Sequence, residues 1–124
     1  MVRDEHGEEI VRTELPKGGA FALAYRHSYY GAPARELFRA TGSGFRLREI
    51  ASPSTAVLDY YALAGERRRA GGWLHLVPAE RPRYERLPLI ATATGRRTLL
   101  VGSERIPLYA RKARHLAITV ERER

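Results

Sequence analysis

The sequence has 124 residues, of which 44% are hydrophobic, and its formal net charge is +8. A chain of this length folds as one domain with a single core, so we predict one domain over residues 1–124 with its core in about residues 8–121. Because the sequence contains no cysteine, disulfides, iron–sulfur clusters, zinc–thiolate sites and cysteine nucleophiles are excluded.

The first half of the chain alternates large apolar side chains with small or polar ones, which is the two-residue period of β-strands. Strands are predicted over residues 8–15, 21–28, 34–40 and 45–50, with turns at 16–19, 30–33 and 41–44. The first strand carries charged residues on one side, as edge strands do. Four consecutive strands joined by tight turns predict an antiparallel meander.

Residues 51–64 fit two structures. Ser52 or Ser54 could cap a short helix with Val57 and Leu58 on its apolar face, but valine and tyrosine also favour strands. We predict an extended or irregular segment, and the alternative is one short helix near residues 54–62.

In the second half, the composition of residues 65–72 (GERRRAGG) indicates an exposed loop, and residues 79–86 indicate a surface connection. Alternation predicts strands over residues 73–77, 87–93, 98–102, 105–109 and 115–121. About eight short strands in all are typical of an all-β fold. We therefore predict a single-domain antiparallel β-sandwich or a partly closed barrel.

The central hairpin carries the clearest candidate site. His27 ends the apolar face of one strand, and we expect Glu36 on the returning strand to lie near it. The carboxylate would fix the tautomer of the imidazole, which could then bind a ligand. The alternative is a buried, hydrogen-bonded pair that sets the register of the hairpin.

Catalysis is not predicted at this pair. Ser28 would be needed for a serine–histidine–acid arrangement, but adjacent strand residues point to opposite faces, so His27 is badly placed to activate it. A metal site would require His27, His75 and His115 to converge with a carboxylate, and their spacing matches no local ligand motif. We predict no catalytic residue, no metal and no cofactor.

The sequence is also rich in aromatic residues. These could line a pocket, although they more often fill a sandwich core and form hydrogen bonds at its edge. We predict ligand or partner contact at Tyr25, His27, Ser28, Glu36 and Trp73.

The excess positive charge lies in the second half. Residues 1–62 hold 8 basic and 8 acidic side chains, whereas residues 63–124 hold 14 basic and 6 acidic ones. A solvated basic surface is the simpler interpretation. If the fold brings the predicted loops together, they form a basic patch for acidic lipid headgroups, an acidic partner or phosphate. The patch would comprise Arg67, Arg68, Arg69, Arg96, Arg97, Arg111, Lys112 and Arg114.

The positions of the basic residues do not favour nucleic-acid binding. Nucleic-acid binding would place aromatic residues between basic ones on a sheet face, and here the basic residues cluster in predicted loops.

No run approaches the roughly 18–20 apolar residues that span a bilayer, and residues 1–6 lack the apolar centre of a secretory signal. We expect the chain as given to be soluble.

The order of short motifs along the chain is the last feature of the sequence. It runs Phe21-Ala22-Leu23-Ala24-Tyr25-Arg26-His27-Ser28, Pro33, Glu36-Leu37-Phe38, Gly71-Gly72-Trp73, Thr98-Leu99 and Pro107-Leu108. This order resembles the bacterial family known as domain of unknown function 1850, over about residues 8–120. The most specific part is the tyrosine-x-histidine-serine run that Tyr25 begins, followed by the glutamate at position 36.

The resemblance implies an envelope location, since members of that family are typically small exported or membrane-tethered proteins. They are often encoded beside tripartite ATP-independent periplasmic (TRAP) transporters of the TAXI subclass, which use an extracytoplasmic solute receptor. If the protein is exported or anchored, we expect its leader segment to have been removed from this chain. We also expect a non-enzymatic accessory or interaction role toward TRAP components, the solute receptor or an anionic membrane surface.

Two other functions are kept as alternatives. One is a basic domain that binds nucleic acid or another polyanion. The other is a small hydrolase or metal-dependent enzyme centred on His27 and Glu36.

Overall fold

The structure, a computed structural model, describes residues 1–121 of the chain. This part contains one helix, α1 (Thr55–Tyr60), and twelve strands. In chain order the strands are β1 (Val2–Asp4), β2 (Glu9–Val11), β3 (Ala20–Arg26), β4 (Pro33–Thr41), β5 (Gly44–Ser52), β6 (Gly65–Ala70), β7 (Trp73–Pro78), β8 (Arg83–Tyr84), β9 (Leu87–Ala91), β10 (Thr98–Val101), β11 (Glu104–Pro107) and β12 (Arg114–Ile118).

The strands form two antiparallel sheets. The large sheet has the order β11-β10-β3-β4-β5-β7-β6, with β8 also paired to β5, and the small sheet has the order β2-β1-β12-β9. Apolar side chains from both sheets join in one core cluster, as they do where the inner faces of a sandwich meet. The predicted all-β sandwich is confirmed, and the two sheets do not close into a barrel.

Three phenylalanines form the aromatic centre of the core. Phe21 on β3 lies opposite Phe38 on β4, and the two rings stack with their centroids 5.2 Å apart. Phe45 on β5 packs edge-on against both rings, at 5.3 and 5.4 Å. Full burial of one such side chain contributes roughly 1.5–3 kcal/mol to stability, so this trio fixes β3, β4 and β5 against one another.

Helix α1 replaces the extended segment that we predicted. Ser54 is its N-cap, and the hydroxyl oxygen accepts a hydrogen bond from the Val57 N–H at 3.4 Å. Val57 and Leu58 are buried. The extended prediction is wrong and the alternative of one short helix is confirmed, because the cap and two buried residues outweigh the strand propensity of the segment. No helix in residues 1–121 is long and apolar enough to cross a membrane.

Residues 65–72 form a strand and a turn, so the predicted loop is also wrong. β6 pairs with β7 along its whole length, and Gly71 and Gly72 close the turn with φ angles of 59° and 80°. Every residue of β6 is exposed, because β6 is an edge strand of the large sheet. A strand that buries neither face has no alternation of apolar side chains to reveal it.

The predicted four-stranded meander has only three of its strands in one sheet. β3, β4 and β5 are neighbours in the large sheet, whereas β2 lies at the edge of the small sheet. There it pairs with β1, which has three residues and is too short for the sequence pattern to indicate. The strands without a predicted counterpart are β1, β6 and the two-residue β8. They raise the number of strands in the described residues from the predicted eight or so to twelve.

Candidate functional site

Many of the residues singled out in the sequence lie at one end of the sandwich, which we call the loop end. It consists of the β3–β4 turn (residues 27–32), helix α1 and the β9–β10 turn (residues 92–97). The first turn contacts α1 through the rings of His27 and Tyr60, whose centroids are 4.7 Å apart. The end of β3, just before this turn, contacts the β9–β10 turn through the Arg26 N–H, which donates to the Gly95 carbonyl at 2.7 Å.

A polar cluster of Tyr25, Glu36, Tyr61 and Arg97 lies just inside the loop end. The Tyr61 hydroxyl donates to Oε2 of Glu36 at 2.9 Å, and the hydroxyl groups of Tyr25 and Tyr61 hydrogen-bond each other. The guanidinium carbon of Arg97 is 4.8 Å from the centroid of the Tyr25 ring. Nη1 of Arg97 lies 3.9 Å from Oε1 of Glu36, so the carboxylate has a positive charge nearby.

Strand register and the end of the helix bring this polar cluster together. Tyr25 and Glu36 are diagonal neighbours on the inner face of the β3–β4 pair, within reach of long side chains. Tyr61 is the C-cap of α1 and points inward, whereas the preceding Tyr60 is 67% exposed. Arg97 immediately precedes β10, the neighbour of β3 on its other side.

Burial controls the ionisation of the polar cluster. Removal from water raises the pKa of Glu36, and the Tyr61 hydrogen bond and the Arg97 charge offset this effect only in part. Burial also raises the pKa of Tyr25 and Tyr61, so both hydroxyl groups stay protonated. Each hydroxyl has one proton; because Tyr61 gives its proton to Glu36, Tyr25 donates to Tyr61. The resulting chain of hydrogen bonds anchors the end of α1 to the sheet.

The predicted pairing of His27 with Glu36 is wrong. The residue opposite Glu36 is Leu23, whereas the His27 N–H donates to the Ala32 carbonyl. Because Glu36 lies opposite Leu23 and His27 follows four residues later, the two residues are about 13 Å apart along the strand. Both residues lie on the predicted face, but the tight turn places Ala32 opposite His27 and carries Glu36 back along β3.

His27 is held by its own turn. Its side chain is buried, with 7% of the residue exposed, and Nδ1 accepts hydrogen bonds from the backbone N–H groups of Tyr29 and Tyr30 at 3.3 and 3.4 Å. In the neutral imidazole the proton is therefore on Nε2. Ser28 is exposed, and within residues 1–121 no hydrogen bond joins its hydroxyl group to His27.

Three exposed tyrosines surround His27, and we call them the aromatic patch. Tyr29, Tyr30 and Tyr60 are 80%, 45% and 67% exposed. The rings of Tyr29 and Tyr30 meet edge-on at 4.9 Å, and the His27 ring lies 5.2 Å from Tyr30. Aromatic rings of this size bury a large area when they are packed, so three exposed ones in one place form a candidate contact surface.

With this geometry established, comparison with known proteins gives one result. The model of the family described as domain of unknown function (DUF1850) matches residues 21–108. This chain belongs to the DUF1850 family. No curated protein and no solved structure matches it significantly. The matched part of this DUF1850 chain includes the polar cluster and the aromatic patch.

Trp73, the fifth contact residue predicted from the sequence, lies elsewhere in the DUF1850 domain. It begins β7, and its ring is 5.3 Å from the guanidinium carbon of Arg35. Arg35 and Trp73 lie on the outer face of the large sheet, the face turned away from the small sheet. The five predicted residues therefore divide among the polar cluster (Tyr25, Glu36), the β3–β4 turn (His27, Ser28) and the outer face (Trp73).

The predicted basic residues do not form one patch. Arg67, Arg68 and Arg69 lie on β6, at one edge of the large sheet, whereas Arg96 and Arg97 adjoin β10 near the other edge. Five strand spacings separate β6 from β10, which is about 24 Å. Of the remaining three residues, Arg111 and Lys112 lie in the loop between β11 and β12, and Arg114 begins β12.

Several of these basic residues already have partners. Nη1 of Arg67 lies 2.7 Å from Oδ1 of Asp59 on α1. Arg114 donates to the Leu108 carbonyl at 2.8 Å, and Arg97 belongs to the polar cluster. Arg68 lies on the outer face opposite His75.

A second histidine–carboxylate pair, which was not predicted from the sequence, lies on the outer face. Nδ1 of His75 lies 2.7 Å from Oε1 of Glu49, and the two side chains are 24% and 19% exposed. The two atoms are not aligned as a hydrogen bond, and neither has a hydrogen-bond partner within residues 1–121. Alternation could place both residues on a polar face, but the pairing of β5 with β7 skips β6 and is not visible in the sequence.

No metal-binding group is found in the part of the chain that the structure describes. There, no three histidine, aspartate or glutamate side chains are close enough together to hold an ion. Two concavities are present away from the loop end. One, of about 720 Å³, opens between the sheets beside Phe21 and Ile118; the other, of about 470 Å³, lies on the outer face beside Glu49.

Proposed function

We propose that this DUF1850 protein is a non-enzymatic contact module of the bacterial envelope. Its partner in this proposal is a protein component of a TRAP-type solute uptake system, either the solute receptor or a membrane component. The observation that carries the proposal is the aromatic patch, in which three tyrosines are 45–80% exposed beside a buried histidine.

Tyrosines suit a protein partner. A tyrosine ring provides a large contact area, has only two side-chain torsions to restrict and carries a polar hydroxyl group. Aromatic residues are enriched in protein interfaces and among their energetic hot spots. A patch of three on adjacent segments therefore favours docking of a protein surface over a role in packing.

The scaffold behind the aromatic patch is well supported. His27 is buried beneath it and fixes the turn through two backbone hydrogen bonds. The polar cluster ties Tyr61, next to Tyr60, to Glu36 at 2.9 Å. Because these contacts order the patch before binding, association costs less conformational entropy.

The arrangement of polar groups at the loop end supports a binding role over an enzymatic one. Nδ1 of His27 accepts backbone N–H groups, and Oε2 of Glu36 accepts the Tyr61 hydroxyl. A nucleophilic mechanism needs a base within hydrogen-bond reach of the nucleophile. His27 has no such contact with Ser28 within the described residues, and Glu36 lies about 13 Å along the strand.

The choice of partner rests on the family. The chain belongs to DUF1850. Its resemblance to that family implies an envelope location and a gene that lies beside those of a TRAP transporter. The alternative, binding to a polyanion, has less support because the basic residues lie near opposite edges of the large sheet.

The test is direct binding of the full chain to purified TRAP components of its source organism. We expect one component to bind, and the double variant Tyr29→Ala/Tyr60→Ala to weaken its affinity by about thirtyfold, as expected for a hot spot of about 2 kcal/mol. The matched control is Ile90→Ala, since Ile90 is an apolar side chain that is 52% exposed on the small sheet. The control should keep the affinity of the unmodified protein.

Two outcomes would overturn the proposal. One is the absence of binding to every TRAP component. The other is binding that the tyrosine double variant does not reduce below the Ile90→Ala control. A salt series distinguishes the alternative function, because polyanion binding weakens by orders of magnitude between about 50 and 200 mM salt, whereas a tyrosine-mediated interface changes much less.

A further inference from the structure

The outer face of the large sheet contains a groove that the proposed function does not use. Its floor is a row of paired side chains: Leu100 on β10 lies opposite Ala22 on β3, and Ala22 lies opposite Leu37 on β4. Glu49 on β5 lies opposite Leu37 and ends this apolar row, and Val77 on β7 lines the concavity beyond it. Because the alanine is short, the floor is depressed between taller neighbours, and we call this concavity the outer groove.

A β-bulge adds a positive charge to the outer groove. Leu37 pairs with Glu49 and the next residue, Phe38, pairs with Leu47, so Arg48 is an extra residue in β5. A bulge of this kind redirects a side chain relative to its neighbours. It allows Leu47 to be buried in the core while Arg48 and Glu49 both line the groove.

The rim of the outer groove is basic. Arg48, Arg68 and Arg81 line it, and Glu49 is the one carboxylate among the lining residues. The lining therefore includes three arginines and one carboxylate, and Oε1 of that carboxylate lies 2.7 Å from Nδ1 of His75. Within residues 1–121, none of the three arginines forms a salt bridge.

Size and chemistry together indicate the ligand. The groove has a volume of about 470 Å³, and small-molecule sites span roughly 300–1,000 Å³. We propose that the outer groove binds a small organic carboxylate with an apolar body. The carboxylate would lie between Arg48 and Arg68, since guanidinium groups bind carboxylates through two parallel hydrogen bonds. The apolar body would cover the row of Leu37, Ala22 and Leu100.

The test is calorimetric titration of the full chain with octanoate, below its micellar concentration. Octanol has the same apolar body without the charge, and acetate has the charge without the body. We expect octanoate to bind at least about tenfold more tightly than either, because both halves of the site contribute.

Two arginine variants identify the site. We expect Arg48→Gln and Arg68→Gln each to weaken octanoate binding about tenfold, by loss of one charged hydrogen-bonding partner. Arg111→Gln removes the same charge from an exposed loop and should leave the affinity unchanged. Arg68 lies on an exposed edge strand, so its variant remains informative even if substitution at the bulge prevents folding.

The proposal fails if octanol or acetate binds as well as octanoate, or if neither arginine variant alters the affinity. It also fails if the chain sediments with phosphatidylglycerol vesicles and the two variants abolish that association, since the groove would then serve a membrane surface. Tyr29→Ala/Tyr60→Ala should retain octanoate binding. Octanoate binding at the outer groove and binding of TRAP components at the aromatic patch are therefore tested separately, and either can be absent without the other.

Discussion

Nδ1 of His75 lies 2.7 Å from Oε1 of Glu49, across two strands that are neighbours in the large sheet but not in the sequence. The pair is mostly shielded from water, with the side chains 24% and 19% exposed. We expect Glu49→Ala to lower the free energy of unfolding by about 1 kcal/mol, because the imidazole loses a close carboxylate neighbour but no aligned hydrogen bond. Urea unfolding followed by circular dichroism measures the change.

The control for this prediction is Glu85→Ala. Oε1 of Glu85 lies 3.5 Å from Nη1 of Arg83, and the Glu85 side chain is 79% exposed. Exposed ion pairs contribute little to stability. We expect its unfolding midpoint to match that of the unmodified protein. Equal midpoints for both variants would show that the Glu49–His75 contact does not stabilise the sheet.

Two adjacent tyrosines permit a matched comparison at the loop end. The Tyr61 hydroxyl group bonds Glu36 and Tyr25, whereas the side chain of Tyr60 is 67% exposed. We expect Tyr61→Phe to cost about 1–2 kcal/mol, because it leaves a half-buried carboxylate oxygen and a half-buried hydroxyl group without their partner. Tyr60→Phe should change stability by less than about 0.5 kcal/mol.

Thermal and urea unfolding of the two phenylalanine variants provide the measurement. If they unfold at the same midpoint, the polar cluster does not anchor α1. A loss confined to Tyr61→Phe supports the hydrogen-bond chain from Tyr25 through Tyr61 to Glu36.

Glu36 should make stability depend on pH. Burial raises the pKa of its carboxyl group in the folded state above the ordinary value of 4.5, so the folded state binds the proton more tightly than the unfolded state does. The resulting stabilisation is complete below the unfolded pKa and is lost as the pH rises through the folded pKa. Relative to Glu36→Gln, the unmodified protein should therefore gain stability as the pH falls toward 4.5.

The measurement is a pair of urea unfolding series, for the unmodified protein and for Glu36→Gln, between neutral pH and pH 4.5. Other carboxyl groups titrate in both proteins and cancel in the difference between their unfolding free energies. A difference that stays constant, or that moves against the unmodified protein on acidification, contradicts burial as the dominant influence on this carboxyl group.

The sequence predicts those parts of the fold that depend on residues close together in the chain. Phe21 and Leu23 alternate with alanines, and glycine marks the turns, so β3, β4 and β5 can be predicted from local pattern. The sandwich follows from several such strands in succession. The residues on the inner face of the hairpin were correctly predicted for the same reason.

Register and strand order are not visible in the sequence. His27 and Glu36 share the predicted face, but the position of the turn sets them about 13 Å apart along the strand. The partner of Glu36 is instead Tyr61, 25 residues further along the chain, at the end of a helix that was only an alternative. His75 meets Glu49 because β7 and not β6 joins β5, which no local pattern indicates.

The exposed strand β6 provides a final prediction, since composition alone indicated a loop there. A Cβ atom at Gly65 would lie 2.1 Å from the Val77 carbonyl oxygen, so the paired backbones must move apart to accept one. We expect Gly65→Ala to cost about 1–3 kcal/mol in unfolding free energy and to speed amide hydrogen exchange along β6. Glu66→Ala, at the adjacent exposed position, is the control and should change stability by less than about 0.5 kcal/mol. If both variants are equally stable, residues 65–70 do not pair with β7, and the large sheet ends one strand earlier.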